Sequence, residues 1–501
     1  MASLFSPKVK DAAESPVKGD DSHKDDPGSL PAVAQGYDSD TVGQIEQARE
    51  AKRQIGVPSA IFLIVNRIIG TGIFATPSGI LALSGSVGLS LFIWVAGMLI
   101  AFAGTANYLE YVFRKPKFLT TGLYAGYVVL LGWASSNSVV FGEYILHAAQ
   151  VEVDRWNQRG VGLACITAAF LIHGLALKWG LRLQNLLGTI KVIVILIIVV
   201  SGWVALGGHT KLDKKPNNFD NAFEGTTGSA YGVVTALYNV IWSYIGYSNA
   251  NYALSETKNP VRTLKIAAPL AVGVISILYM FVNIAYFAAV PKEEILAARR
   301  LVAASLFRNM FGSTAERALS VFVALSAFGN VLSVIFSQGR LVQELGREGV
   351  LPFSRFWASN RPFNAPLAGL FEHWLVSVII MLAPPPATPT TLFSTSSRME
   401  LEPSHLRHPP RRHLLPSQQH LFDRCSFRTP GEGQNIYESL PYWIHCVVGI
   451  AIIAAGGVYW LFWAIILPKL GGYELVRETV IDDIDGWERN VFKRRSLSEQ
   501  S

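Results

Sequence analysis

Asn66-Arg67-Ile68-Ile69-Gly70-Thr71-Gly72-Ile73-Phe74 places two glycines and a threonine in the middle of an apolar run. It lies inside the first long apolar run, from about Ile55 to Leu83, and Pro77 follows it. A glycine costs about 1 kcal/mol in a helix interior, so two of them flanking a threonine favour a local break. Open backbone at mid-depth in a membrane survives only where it is buried in protein or lines a cavity. A break also ends one half-helix and starts another, leaving N–H groups for an anion and carbonyls for a cation. An amino acid carries both charges. The same glycines also suit close packing against a neighbouring helix, and the local pattern leaves the two readings level.

Half of the 501 residues are apolar and only 16% are charged, a balance unusual for a soluble chain of this length. Apolar runs of about 20 residues recur, each long enough to cross a bilayer core of about 30 Å. The chain therefore reads as an all-α polytopic membrane protein, one integral bundle in the lipid bilayer. The first fifty residues are polar, so no cleavable signal peptide is expected. Cys165, Cys425 and Cys446 are scattered and imply neither a disulfide framework nor a metal site. The net charge of +7 is spread over loops and tails, which argues against nucleic acid as a partner. Basic loops on a membrane protein report orientation instead.

Residues 1–50 are rich in Asp, Ser, Lys, Gly and Pro and read as a disordered tail. Ten candidate spans follow, at about 55–83, 86–108, 122–148, 160–178, 185–207, 229–254, 264–290, 316–338, 365–384 and 441–468. They divide the chain into a membrane core over 51–385, an atypical segment over 386–431, a last span with its approach over 432–468, and a tail over 469–501. Arg114, Lys115 and Lys117 follow span two; Lys178 and Arg182 follow span four. Lys258, Arg262 and Lys265 follow span six, and Arg340, Arg347, Arg355 and Arg361 follow span eight. The first loop on the other side, near Ser84 to Ser86, has no base. Lys211, Lys214 and Lys215 sit in a longer loop, which weighs less. Both termini read as cytoplasmic, and an even number of spans agrees.

The segment 386–431 breaks the pattern. It holds His405, His408, His413 and His420 among Arg407, Arg411, Arg412 and Pro409-Pro410. No apolar run in it reaches the length of a span, and the histidine spacing matches no metal-ligand motif. It reads as an unstructured insertion or as a stretch from a wrong reading frame or retained intron.

The sixth span carries a second polar centre: Ser243, Gly246, Ser248, Asn249 and Asn251. Polar residues at mid-membrane face the bundle or a pathway rather than lipid. Five spans separate this centre from the first, the spacing of an inverted repeat with paired broken helices.

At this point the residues carry a resemblance. Gly70-Thr71-Gly72-Ile73-Phe74 resembles the G-[ST]-G-I-F signature of the amino acid–polyamine–organocation superfamily. Glu256-Thr257-Lys258-Asn259-Pro260-Val261-Arg262 resembles its E-x-x-N-P-x-R ending of helix six, and Arg340 through Arg347-Glu348-Gly349-Val350-Leu351-Pro352 its loop after helix eight. Tyr108-Leu109-Glu110-Tyr111-Val112, Gly132-Trp133-Ala134-Ser135-Ser136-Asn137-Ser138 and Glu432-Gly433-Gln434-Asn435 look closer still to the fungal high-affinity methionine permeases, in the L-type amino acid transporter branch. The likeness covers about residues 50–385 and 431–492. It implies a leucine-transporter-like bundle of twelve helices, with a five-plus-five inverted repeat and helices one and six broken. Two departures stand out. A Gly-Gly-Glu-Lys element between helices two and three is missing, and helices ten and eleven should lie where the His/Arg/Pro-rich segment stands. Their loss keeps the parity of the topology but removes the closing helix of the second repeat.

The resemblance implies where substrate binds. The carboxylate would meet backbone amides around Gly70, Thr71, Gly72 and Ile73, with the Thr71 hydroxyl as a further donor. The ammonium would meet carbonyls near Ile68 and Ile69, and others near Trp242, Ser243 and Ile245. Trp242 matches an aromatic gate in relatives, a packing role being its alternative. Asn137 and Ser138 either line the site or bond between helices. Lys191, deep in the fifth span, is expensive there and functional by default. In proton-coupled relatives a helix-five lysine stands in for a sodium ion on the carbonyls of broken helix one; snorkelling to the surface is the alternative. Glu143, in the third span, is a second titratable candidate, a place near the outer interface being its alternative.

The function so implied is secondary active, proton-coupled uptake of L-methionine, with cysteine as a second substrate, at the plasma membrane. No cofactor is expected. No catalytic pair in the spans suggests an enzyme, and no ring of like charges suggests a channel. Lys18 and Lys24 in the amino-terminal tail resemble sites through which fungal permeases meet a ubiquitin ligase or its adaptor, although a solvated charge run explains them too. The damaged second repeat leaves a competing reading: a non-transporting or degenerate relative acting as a nutrient sensor.

Overall fold

The computed structural model describes residues 56–104, 116–131, 134–247, 259–298, 300–360, 363, 365–383, 430, 441–481 and 488–496. The tail 1–50 with Lys18 and Lys24, the Tyr108–Val112 and Glu432–Asn435 motifs, Ser248 to Lys258 and nearly all of 386–431 lie outside them.

The described chain is mostly helical. The first run is divided into α1 (Val57–Ile68), α2 (Gly72–Ala75) and α3 (Pro77–Ser84). Pro58 and Pro77 sit in the first turns of α1 and α3, where a missing N–H costs nothing. Gly85 closes α3 in the left-handed conformation (φ 77°), its N–H on the Leu81 carbonyl. The chain then turns 116° into α4 (Val87–Gly104). There follow α5 (Leu119–Leu131), α6 (Ser135–Ala148), α7 (Arg155–Leu175), α8 (Leu177–Leu206), α9 (Ala230–Ser243) and α10 (Pro260–Ala289). A capping box between Asp154 and Asn157 starts α7. Short α11 (Lys292–Ala297) and α12 (Val302–Phe311) lead into the longest helix, α13 (Ser313–Arg347). Beyond it lie α14 (Ser354–Trp357), α15 (Leu367–Leu382) and α16 (Ile444–Trp460), which runs on through a π-turn at Leu461–Ile466 into α17 (Leu467–Gly471).

Among the described residues, seven helices are long and apolar enough to cross a membrane, eight if the bent α3–α4 pair is one span. The protein is integral to the membrane. Of the ten spans expected from sequence, the three not among these seven are α4, α9 and α15, described over 18, 14 and 16 residues; the expected spans 86–108 and 229–254 run on into residues outside the described ones. The pillar is α13, packed against α6, α8, α12 and α15.

Connections gather at two ends. Thr227 N–H bonds the Ser84 carbonyl (2.9 Å), Lys292 Nζ the Gly85 carbonyl (2.9 Å), and Lys211 N–H the Asn309 carbonyl (2.8 Å). At the opposite end Trp460 Nε1 donates to the Lys117 carbonyl (2.9 Å) and Phe492 N–H to the Glu348 carbonyl (2.8 Å).

What the sequence leaves as a tail after residue 469 folds further. The last helix reaches Gly471, and β1 (Tyr473–Ile481) pairs antiparallel with β2 (Glu488–Ser496), so the described chain is not wholly α. Phe492 is buried edge-on against Phe118 and Trp463, 5.0 Å between centroids in each case. A period-two pattern around Asp485-Gly486 is a hairpin signal, masked in a helix-rich chain by its many charges.

Candidate functional site

The regular hydrogen bonds of α1 stop at Ile69 N–H, which bonds the Val65 carbonyl at 3.0 Å. Helical bonding resumes when Phe74 and Ala75 N–H reach the Thr71 carbonyl. Between them, the N–H groups of Gly70, Thr71, Gly72 and Ile73 find no acceptor among the described residues. Thr71 and Ile73 are buried. A helix start always leaves its first donors unpaired, but burial without a partner is costly. Four consecutive amides at buried positions are thus left without an acceptor among the described residues.

Both glycines of the stretch lie at close approaches, one to a side chain and one to backbone. A Cβ on Gly70 would stand 2.4 Å from Asn330 Nδ2, and one on Gly72 would stand 2.8 Å from the Ser243 Cα. Tight packing therefore coincides here with an interruption of the helical hydrogen bonds. Ser243 ends α9, where Tyr244 and Ile245 N–H turn back onto the Ile241 and Trp242 carbonyls at 3.0 and 3.1 Å. Gly246, at φ 127°, then lies against Arg67, so the two polar centres touch at two points.

The carbonyl side of the site is occupied by a residue the sequence reading missed. Tyr279 on α10 donates its hydroxyl to the Ile68 carbonyl (3.0 Å) and shares it with the Ser243 carbonyl (3.3 Å). Its ring sits edge-on to Trp94, 5.7 Å away, and 5.4 Å from Tyr244. The Trp242 carbonyl is taken by the local turn; the Trp242 side chain and Ile245 are half-buried. Ile69 is buried in the break. Ser276, Tyr279 and Asn283 form a polar stripe along α10, the signal that could have found Tyr279.

The hydroxyl of Thr71 points to Asn137 Oδ1 at 2.6 Å, and Asn137 Nδ2 donates to Asn330 Oδ1 at 3.1 Å. Asn137 therefore bonds between helices, and the Thr71 hydrogen is committed to it. Asn330 and Arg67 were also missed, although Arg67 stands in the first stretch quoted.

Lys191 is fully buried in α8, its ammonium donating to the Asn66 carbonyl at 3.1 Å. That carbonyl belongs to the last turn of α1, which has no helical partners to give it. Glycines make the room: Gly188 lies against the Asn66 side chain, and Gly329 against Lys191 Cε. Snorkelling does not occur. Glu143 lies elsewhere, its Oε2 accepting from Arg300 Nη1 and Gln158 Nε2, both at 3.0 Å. No group of His, Cys, Asp and Glu suited to a metal occurs among the described residues.

Residues 55–401 match a family model described as amino acid permease. Over 486 aligned residues the chain is 46% identical to the high-affinity methionine permease of Saccharomyces cerevisiae, covering 89% of this chain and 85% of that one. The low-affinity methionine permease of the same yeast is 36% identical over 341 residues, covering 64% and 62%. The human b(0,+)-type amino acid transporter 1 is 29% identical over 352 residues, covering 66% and 70%.

Proposed function

The chain belongs to the amino acid permease family, and from that premise we propose that it imports L-methionine by proton-coupled alternating access. The observation that carries the reading is the row of four buried amides, Gly70 to Ile73, beside the end of α9. Amides suit the carboxylate that all amino acids share, and their position at the start of a helix segment adds a favourable dipole. The Ile68 and Ser243 carbonyls, now served by Tyr279, are the acceptors for the ammonium. Recognition of the backbone alone leaves the side chain to be chosen by groups around it, Trp242 among them. The names of the two yeast relatives support methionine; cysteine follows as a second, smaller sulfur substrate.

Lys191 supplies the coupling. Its ammonium on the Asn66 carbonyl sits where a monovalent cation would tie α8 to the interrupted span. Gain and loss of that proton during the cycle would make and break the tie. The five-plus-five repeat, with spans one and six as its broken pair, and a plasma-membrane site with both termini in the cytosol complete the proposal. Lys18 and Lys24 are its candidate sites for a ubiquitin ligase or adaptor.

Radiolabelled methionine uptake at two external pH values tests the proposal. Uptake that rises at the lower pH is expected; none from a folded, surface-resident protein rejects it. One observation favours a second reading, a non-transporting relative: the His/Arg/Pro-rich run over 386–431. Sequencing the transcript across Pro386 to Gly431 decides whether two apolar runs of about 20 residues belong there.

A further inference from the structure

Arg67 is a cation well inside the first span, where a charge is expensive and functional by default. Its Nη1 donates to Asn330 Oδ1 at 2.8 Å, and Asn330 Nδ2 donates back to the Arg67 carbonyl at 3.1 Å. The same Oδ1 accepts from Asn137, which in turn accepts from Thr71. The bonds close a ring from the end of α1 through α13 and α6 to the residue before α2. On its other flank Arg67 is pressed by Gly246, where a Cβ would lie 2.5 Å from Arg67 Cγ.

We propose that Arg67 and Asn330 form a releasable latch that fixes α1 to α13 and must open for α1 to move during transport. The chemistry fits release. A bond from a guanidinium to a neutral amide is charge-assisted and strong enough to hold. An aspartate at 330 would make it an ion pair, and removal of either partner from such a pair leaves a buried charge uncompensated. Asn330 is therefore a positioning residue: it sets where Thr71 and the neighbouring amides stand, acting through Arg67 and Asn137. The kinetic part of the test rests on the transport reading above; the labelling part does not.

The test uses the full chain with its three cysteines replaced and Ile64→Cys introduced on the buried face of α1. A membrane-permeant maleimide reports how often α1 leaves its seat. Asn330→Ala is expected to raise the labelling rate by about tenfold, the loss of a hydrogen bond to a charged group. Arg67→Lys should act in the same direction, and Asn330→Asp should label more slowly than the parent. In uptake, Asn330→Asp should lower the maximal rate without raising KM. Labelling at the parent rate in both Asn330 variants overturns the latch. If Asn330→Ala does not reach the membrane, Asn330→Asp decides alone: unchanged labelling and maximal rate overturn it. Should the parent chain take up no methionine while labelling follows the stated order, the latch stands and the importer reading falls.

Discussion

Gly72 lies so close to Ser243 that a methyl group on it would stand 2.8 Å from the Ser243 Cα, with backbone behind it that cannot give way. Gly70 meets only the end of the Asn330 side chain, at 2.4 Å. The two glycines of one motif should therefore respond differently. Gly72→Ala is expected to abolish methionine uptake and to cost about 1–3 kcal/mol of stability, the usual range for overpacking. Gly70→Ala should keep measurable uptake once Asn330 turns aside. Uptake and thermal unfolding of the two variants, at matched surface level, check the order.

Lys191→Ala removes the only described donor to the Asn66 carbonyl. Loss of uptake, or uptake that no longer responds to external pH, is the expected outcome in a pH-stepped flux assay. A variant with the parent's flux and pH response would remove Lys191 from the coupling step.

Tyr279→Phe keeps the ring against Trp94 and Tyr244 and deletes the hydroxyl shared by the Ile68 and Ser243 carbonyls. Leaving buried acceptors without their donor costs about 1–3 kcal/mol, so the melting temperature should fall. An ammonium that uses the same carbonyls would restore the loss. Methionine should then raise the melting temperature of Tyr279→Phe more than that of the parent. Equal shifts would separate the ammonium from these carbonyls.

Phe492 seats the hairpin against Phe118 and Trp463. Phe492→Ala should cost about 3–5 kcal/mol of docking and folding, the range for a buried aromatic. Limited proteolysis of β1–β2 would report it as faster cleavage.

The hairpin should also loosen in acid. Lys493 and Arg495 flank Glu478 at 2.9 and 3.2 Å and hold its carboxyl below the ordinary value of 4.5, the hydrogen bond from Lys493 leading. A carboxyl lowered on folding contributes stability above its ordinary value and loses it as pH falls through the folded one. Cleavage should therefore quicken as pH drops below 4.5. Glu478→Gln should remove that dependence while changing little at neutral pH, because exposed ion pairs contribute little.

Apolar runs of span length made the membrane class legible from sequence, because lipid demands them wherever a helix crosses. Glycine at 70 and 72 singled out a break or a close contact, and lysine at 191 a functional or a snorkelling cation, because both residue types are costly there unless used. Residue spacing could not say which groups would meet. Arg67 and Asn330 are 263 positions apart, and Ile68 and Tyr279 are 211 apart. Such pairs form when helices pack, and each polar residue then takes whichever partner satisfies it. Composition and run length made this chain a membrane bundle, and left Gly70-Thr71-Gly72 level between a helix break and a close packing contact. That Ser243, Asn330 and Tyr279 surround this stretch emerged from helix packing, because burial forces unpaired backbone groups to find partners from other helices.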